Sequence, residues 1–300
     1  MINENEEQQQ NRADSPSRDW SRRDFVALTV AAGLASTVPA LGADLPVVET
    51  NVDIKTPDGS CDAVFIHPAN GSYAGVLVWP DAGGLRPAMR DIGKRLASEG
   101  YSVLVPNPFY RSAKAPVFDI SKFNFRDPAD MAKLQKLREP LNAPGATEND
   151  ATAHIAFLDA QSQVNKSKRI GTQGYCMGGP MVVRTAAAVP NRVGAGASFH
   201  GGGLVTDKPD SPHLLAPKIK GRMYFGIAAS DDEKQPDAKD KLKQAFAGAN
   251  VPAEIEVYAG TLHGWCIPDM PLMDGKPVYN EADAERAWSK LVALYAAALA

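Results

Sequence analysis

Residues 171–188 constrain this chain more than any other stretch. They read Gly171-Thr172-Gln173-Gly174-Tyr175-Cys176-Met177-Gly178-Gly179, then Pro180-Met181-Val182-Val183-Arg184-Thr185-Ala186-Ala187-Ala188. The short run Lys168-Arg169-Ile170 before them can end a buried strand, and the Val- and Ala-rich run after them reads as a helix. A strand passing into a helix across Gly174-x-Cys176-x-Gly178 sets the cysteine on a tight turn. Positions two before and two after it must be nearly free of side chain for strand and helix to approach. The turn aims the sulfur at the positive end of the helix, which favours a thiolate and a developing oxyanion. Taken alone the pattern is a weak signal, because a buried structural cysteine in a glycine-rich turn is spelled the same way.

The rest of the chain supplies a frame for that turn. Val47 to Ile54 alternates polar and apolar residues, Pro57-Asp58-Gly59 reads as a turn, and Cys61 to Ile66 returns as its hairpin partner. Gly75 to Trp79 is a continuous apolar run, the mark of a parallel strand buried on both faces, and it ends in Pro80-Asp81-Ala82-Gly83-Gly84. Pro87 to Glu99 reads as a helix closed by Gly100, and Tyr101 to Val105 as the next strand. Residues 112–148 are broken by Pro116, Pro128, Pro140 and Pro144, and read as an excursion over the sheet edge with a short helix near Ala129–Arg138. A helix over Asn149–Gln163 precedes the cysteine turn. Beyond it, strands are expected at Arg192–Phe199, Arg222–Ala228 and Ala253–Tyr258, with helices at Gln235–Ala247 and Glu281–Ala298. Strands alternating with helices imply an α/β fold with a mainly parallel sheet and helices on both faces.

In such a sheet, function sits at the carboxyl ends of the strands. The chemically able residues there are Asp81, Arg111, Cys176, His200, Asp231 and His263. Cys176, Asp231 and His263 occur in the order nucleophile, acid, base, which is the order of the α/β-hydrolase fold. An imidazole suits proton transfer to and from a thiol near neutral pH, and a carboxylate fixes its tautomer. Asp232 is the alternative acid, one residue further from the strand; His200 is the rival base, but it precedes Asp231 in the chain. The oxyanion donors expected are the backbone N–H groups of Met177 and Ala82. Asp81 reads either as a helix-entry residue or as a carboxylate near the thiol, and Arg111 as a fork for a substrate carboxylate or as a solvated loop residue.

These residues resemble the dienelactone hydrolase family, the cysteine branch of the α/β-hydrolases, over roughly residues 45–300. The matching pieces are Gly174 to Gly179, the acidic loop at Asp81, Val105-Pro106-Asn107-Pro108-Phe109-Tyr110-Arg111, Ala229-Ser230-Asp231 and Tyr258-Ala259-Gly260-Thr261-Leu262-His263. The resemblance implies a triad of Cys176, His263 and Asp231 with oxyanion donors at Ala82 and Met177. It implies hydrolysis of a small-molecule ester or lactone through an acyl-thiol, without metal or organic cofactor. Asp81, Tyr110, Arg111 and Trp265 are the substrate-binding candidates. Two departures stand out: Asp81 occupies the place of a family glutamate, and Ile267 the place of an arginine that dienelactone-cleaving members use on the substrate carboxylate.

Composition narrows the class. With 300 residues, 44% hydrophobic and net charge -3, the chain is ample for one large domain and has no basic footprint for nucleic acid. The five histidines lack metal-ligand spacing, and three cysteines make no disulfide framework, although a Cys61–Cys266 bridge is open. Residues 1–20 are polar and read as disordered; Ser21-Arg22-Arg23-Asp24-Phe25 and the uncharged stretch after it resemble a twin-arginine export signal, cleaved after Ala43 or else Ala40. The organisation expected is therefore residues 1–43 as leader and 44–300 as one hydrolase domain, exported by the twin-arginine machinery to the periplasm or beyond. An uncleaved membrane anchor is the alternative to that leader. Oligomeric state is not legible. Two other classes compete with hydrolysis: a thiol redox protein using Cys176, and a small-molecule binder on a retired scaffold.

Overall fold

The computed structural model describes residues 44–299 except Asp274; the proposed leader lies outside them. Eight strands form one sheet: β1 (Val47–Thr56), β2 (Gly59–Pro68), β3 (Ala74–Trp79), β4 (Tyr101–Pro106), β5 (Ile170–Tyr175), β6 (Val193–Phe199), β7 (Arg222–Ala228) and β8 (Ala253–Tyr258). Their spatial order is β1-β2-β4-β3-β5-β6-β7-β8. β1, β2 and β4 pair antiparallel, and every pairing from β4 across to β8 is parallel. The hairpin turn falls at Pro57–Asp58 as expected, with Gly59 at φ 138°.

Alternation along the buried strands divides the core in two. Leu77 and Trp79 of β3 face one layer and Val76 and Val78 the other, all at most 1% exposed. The first layer is closed by α3 (Ala146–Ala160), α4 (Gly178–Ala188) and α6 (Ala238–Gly248) through Leu158, Val182 and Phe246. The second is closed by α1 (Pro87–Ser98) and α7 (Glu281–Ala298) through Leu96 and Leu291. Cys61 lies in the first layer and Cys266 packs on the second, so the sheet separates them; both are free thiols.

Three local features depart from the sequence expectation. β5 runs on through the glycines to Tyr175, because the fully buried Gln173 finds side-chain partners in Tyr175 and Tyr295 inside the core. Asp231 sits in a one-and-a-half-turn helix, α5 (Ala229–Lys234), that follows β7 directly. A 3-10 segment at Pro212–Lys218 was not marked by any local pattern. The excursion does contain its helix, α2 (Pro128–Arg138), begun by the Asp127 carboxylate accepting from the amides of Ala129 and Asp130.

Candidate active site

β3 lies between β4 and β5, so the chain leaves it in opposite directions on its two sides. This is the topological switch point, where a crevice opens above the strand ends. The loop after β3 carries Asp81 and Ala82, and the loop after β5 carries Cys176 and Met177. Strand pairing thus brings together two loops nearly a hundred residues apart in the chain.

Cys176 has φ 50°, in the left-handed region that a side chain normally avoids. The turn is held by hydrogen bonds from Cys176 N–H to Phe199 O at 3.1 Å and from Gly179 N–H to Cys176 O at 3.1 Å. Glycine is required on both sides. A Cβ on Gly174 would strike the Gly178 carbonyl, and one on Gly178 would strike Trp79. These are the two positions that the spacing argument singled out. Cys176 stands just before the N-terminus of α4, where the helix dipole favours negative charge.

The candidate acid and base follow β7 and β8. His263 Nδ1 lies 2.7 Å from Asp231 Oδ2, so Nδ1 carries the ring proton, and His263 and Cys176 line the same cavity. The two loops are tied together by His263 N–H donating to Ser230 Oγ at 2.9 Å and Ser230 N–H donating to Thr261 O at 3.1 Å. Burial by itself disfavours the imidazolium of His263, but the Asp231 carboxylate and the Cys176 sulfur outweigh it and push the group up to about 10. Asp232 turns away onto Lys239 Nζ, 2.7 Å from each carboxylate oxygen. Adjacent residues on a helix point about 100° apart, which is why only one of the pair reaches the histidine.

The oxyanion candidates fall where the fold places them. Ala82 lines the cavity and Met177 heads α4 directly after the cysteine; their amides stay outside the backbone hydrogen bonds of the surrounding turns. Asp81, however, is not free to address the thiol. Its Oδ1 accepts from Gly83 N–H at 2.7 Å and from Arg86 Nη1 at 2.6 Å, and its Oδ2 accepts from Arg86 Nη2 at 3.0 Å. Arg86 also donates twice to Asp269, at 2.8 Å each.

His200 lines the cavity but has no carboxylate on either ring nitrogen. It stands at φ 40° with its ring 4.9 Å from that of His263, and burial holds it well below the usual histidine range. It is a neutral wall of the site, as its place in the chain order suggested.

Three of the substrate-binding candidates lie elsewhere. Arg111 is clasped between Asp58, 2.6 Å away, and Asp150, 2.8 Å away, and Tyr110 donates to Asp150 at 2.7 Å. Neither side chain lines the catalytic cavity. Trp265 is fully buried and stacks on Tyr258 at 4.2 Å. Ile267 is fully buried as well. The cavity, about 730 Å³, is instead walled by the excursion, through Phe123, Phe125 and Leu134, and by the loop after His263, through Met270 and Leu272. No local signal in the Pro-broken stretch marked those residues, and Arg86 was missed because its acids lie five residues back and far ahead.

The profile of the dienelactone hydrolase family matches residues 61–299. The chain belongs to this family. A relative from Synechocystis, named "Putative carboxymethylenebutenolidase", is 28% identical over 76% of this chain and 87% of its own. A carboxymethylenebutenolidase of Rhodococcus opacus is 26% identical over 80% of this chain and 88% of its own. Among solved structures, a Klebsiella pneumoniae dienelactone hydrolase-type protein superposes with a TM-score of 0.70 at 23% identity, covering 84% of this chain and 99% of that one, which speaks for the fold. This dienelactone hydrolase family member is an enzyme, a hydrolase acting on a small molecule.

Proposed function

We propose that this hydrolase cleaves a carboxylic ester or lactone with Cys176 as nucleophile, His263 as proton carrier and Asp231 as its orienting carboxylate. The observation that carries the reading is the position of His263, held by Asp231 through Nδ1 at 2.7 Å and sharing one cavity with Cys176. His263, held protonated beside Asp231, already carries the Sγ proton on Nε2, and the sulfur adds to the substrate carbonyl as the thiolate. The carbonyl oxygen, now an oxyanion, accepts from the N–H groups of Ala82 and Met177. Collapse breaks the bond to the leaving alkoxide, which takes the proton from Nε2. A water then gives a proton to Nε2 and adds to the thioester; collapse breaks the C–S bond and restores the thiolate beside the protonated His263. The product is a carboxylic acid and an alcohol, joined in one molecule where the substrate is a lactone. Asp231 stays ionised throughout and steadies the imidazolium.

With Arg111 engaged by two aspartates and Ile267 apolar, neither position that the family resemblance assigns to a carboxylate clamp serves the cavity, so cis-dienelactone should be a poor substrate. The test is turnover of 4-nitrophenyl butyrate and cis-dienelactone by the full-length chain beside Cys176→Ala. Turnover of the butyrate that disappears in the variant supports the reading. Silence of the wild type on both, with rapid peroxide oxidation of Cys176, would move the protein to thiol redox chemistry. Export through the twin-arginine route is proposed on Ser21-Arg22-Arg23-Asp24-Phe25 and the uncharged stretch after it, and loss of export in Arg22→Lys/Arg23→Lys is its test.

A further inference from the structure

Five large apolar side chains are exposed among the described residues, and three of them, Met131, Leu272 and Met273, border the catalytic cavity. Exposed apolar surface gathered in one place marks a binding region. The inner walls continue it through Phe123, which stacks on Phe118 at 4.4 Å and meets Phe125 edge-on at 4.8 Å. At about 730 Å³ the cavity is several times the size of a five-membered lactone.

The charge in the cavity is one-sided. Asp81 is its sole carboxylate among the described residues, and Arg86 neutralises it. Lys122 and Lys234 line the cavity too, with Asp119 at 3.0 Å and Asp231 at 3.8 Å beside them. Arg138, in the last residue of α2, is half-buried and has no carboxylate partner among the described residues. A cavity-lining guanidinium without a counter-ion can pair with a carboxylate that a ligand supplies. The end of α2 favours a cation there but does not require a fork of five donors.

We propose that the substrate is an amphipathic anionic ester whose acyl half carries a distal carboxylate, held by Arg138 while its apolar chain lies on Phe123, Phe125 and Leu134. The inference rests on the hydrolase reading and names its substrate class. The direction of the acyl half follows from the proton donor. His263 must lie beside the leaving oxygen, on the side of the cavity formed by its own loop and Leu272. We assign the acyl half to the wall built by the excursion, a separate segment of the lining to which α2 and Arg138 belong.

The experiment compares mono-4-nitrophenyl octanedioate and hexanedioate with 4-nitrophenyl octanoate and hexanoate, using the full-length chain. The dicarboxylate half esters should have kcat/KM at least tenfold higher than their neutral counterparts, and the advantage should shrink as salt rises. Arg138→Gln should lower that ratio at least fivefold, and Arg138→Lys should restore part of it. A wild-type ratio near one, or a ratio that Arg138→Gln leaves untouched, overturns the proposal. A second readout separates this from failure of the hydrolase reading: protection of Cys176 from iodoacetamide by monomethyl octanedioate against methyl octanoate. Stronger protection by the anion in a chain that cleaves no ester would sink the hydrolysis and keep the anion site. Equal protection sinks the site.

Discussion

Arg86 and Asp81 are joined below the surface by hydrogen bonds of 2.6 and 3.0 Å, and the same guanidinium reaches Asp269 in the loop beyond His263. The pair therefore links the loop of Ala82, the proposed oxyanion donor, to the loop that carries His263, the proposed base. Arg86→Met would leave the Asp81 carboxylate, 5% exposed, without its cation. Breaking a buried pair from one side costs about 3–5 kcal/mol. Urea unfolding of Arg86→Met should show a loss in that range, with kcat falling as Ala82 loses its setting.

Asp231 and Asp232 should separate cleanly. Asp231→Asn leaves His263 facing an amide that can force the wrong tautomer, and such a change in a triad costs roughly 10⁴-fold in kcat. Asp232 serves a partly exposed ion pair with Lys239, worth about 0–1 kcal/mol, so Asp232→Asn should leave kcat nearly unchanged. Steady-state rates on 4-nitrophenyl butyrate for the two variants decide the matter.

His263 makes stability depend on pH in the alkaline direction. Its folded value, about 10, lies above the ordinary 6.5, so the folded state holds a proton that the unfolded state gives up. That contribution is complete below pH 6.5 and disappears as pH rises through about 10. Thermal melts at pH 6.5 and pH 10 should show a larger drop for the wild type than for His263→Asn.

His154 acts in the opposite direction. It is 1% exposed against the Trp79 ring, neither nitrogen has a partner, and burial pushes it down to about 3. The unfolded chain takes up a proton that the folded chain refuses, so stability present above pH 6.5 is lost as pH falls toward 3. Melts between pH 6.5 and 4 should show a smaller loss in His154→Leu than in the wild type.

Arg111 should prove structural. Asp150, 1% exposed in its side chain, would keep only the Tyr110 hydroxyl in Arg111→Gln. Unfolding free energy should fall by about 3 kcal/mol. KM for mono-4-nitrophenyl hexanedioate should not change, because the side chain does not reach the cavity.

Legibility followed the range of the interactions. The glycines around Cys176 could be read because a strand that becomes a helix over three residues imposes its steric demand locally, and the Cβ clashes at Gly174 and Gly178 show that demand. The sheet was readable because runs such as Val76 to Trp79 are apolar on both faces. Trp265 was not: an aromatic residue beside a catalytic loop is spelled alike whether it lines a cavity or, as here, stacks on Tyr258 in the core. Arg111 depended on Asp150, about forty residues away, and nothing near it in the chain announces that partner.

The sequence by itself determined the α/β class, the turn at Cys176 and the chain order of Cys176, Asp231 and His263, since each follows from periodicity or from sterics within a few residues. Only the tertiary structure decided that Asp231 rather than Asp232 faces His263, that Arg86 occupies Asp81, and that Arg138 rather than Arg111 lines the cavity. A charged side chain pairs with whatever carboxylate the packed elements bring within about 4 Å. That distance is set by the twist of the sheet and the seating of helices, which no single segment encodes.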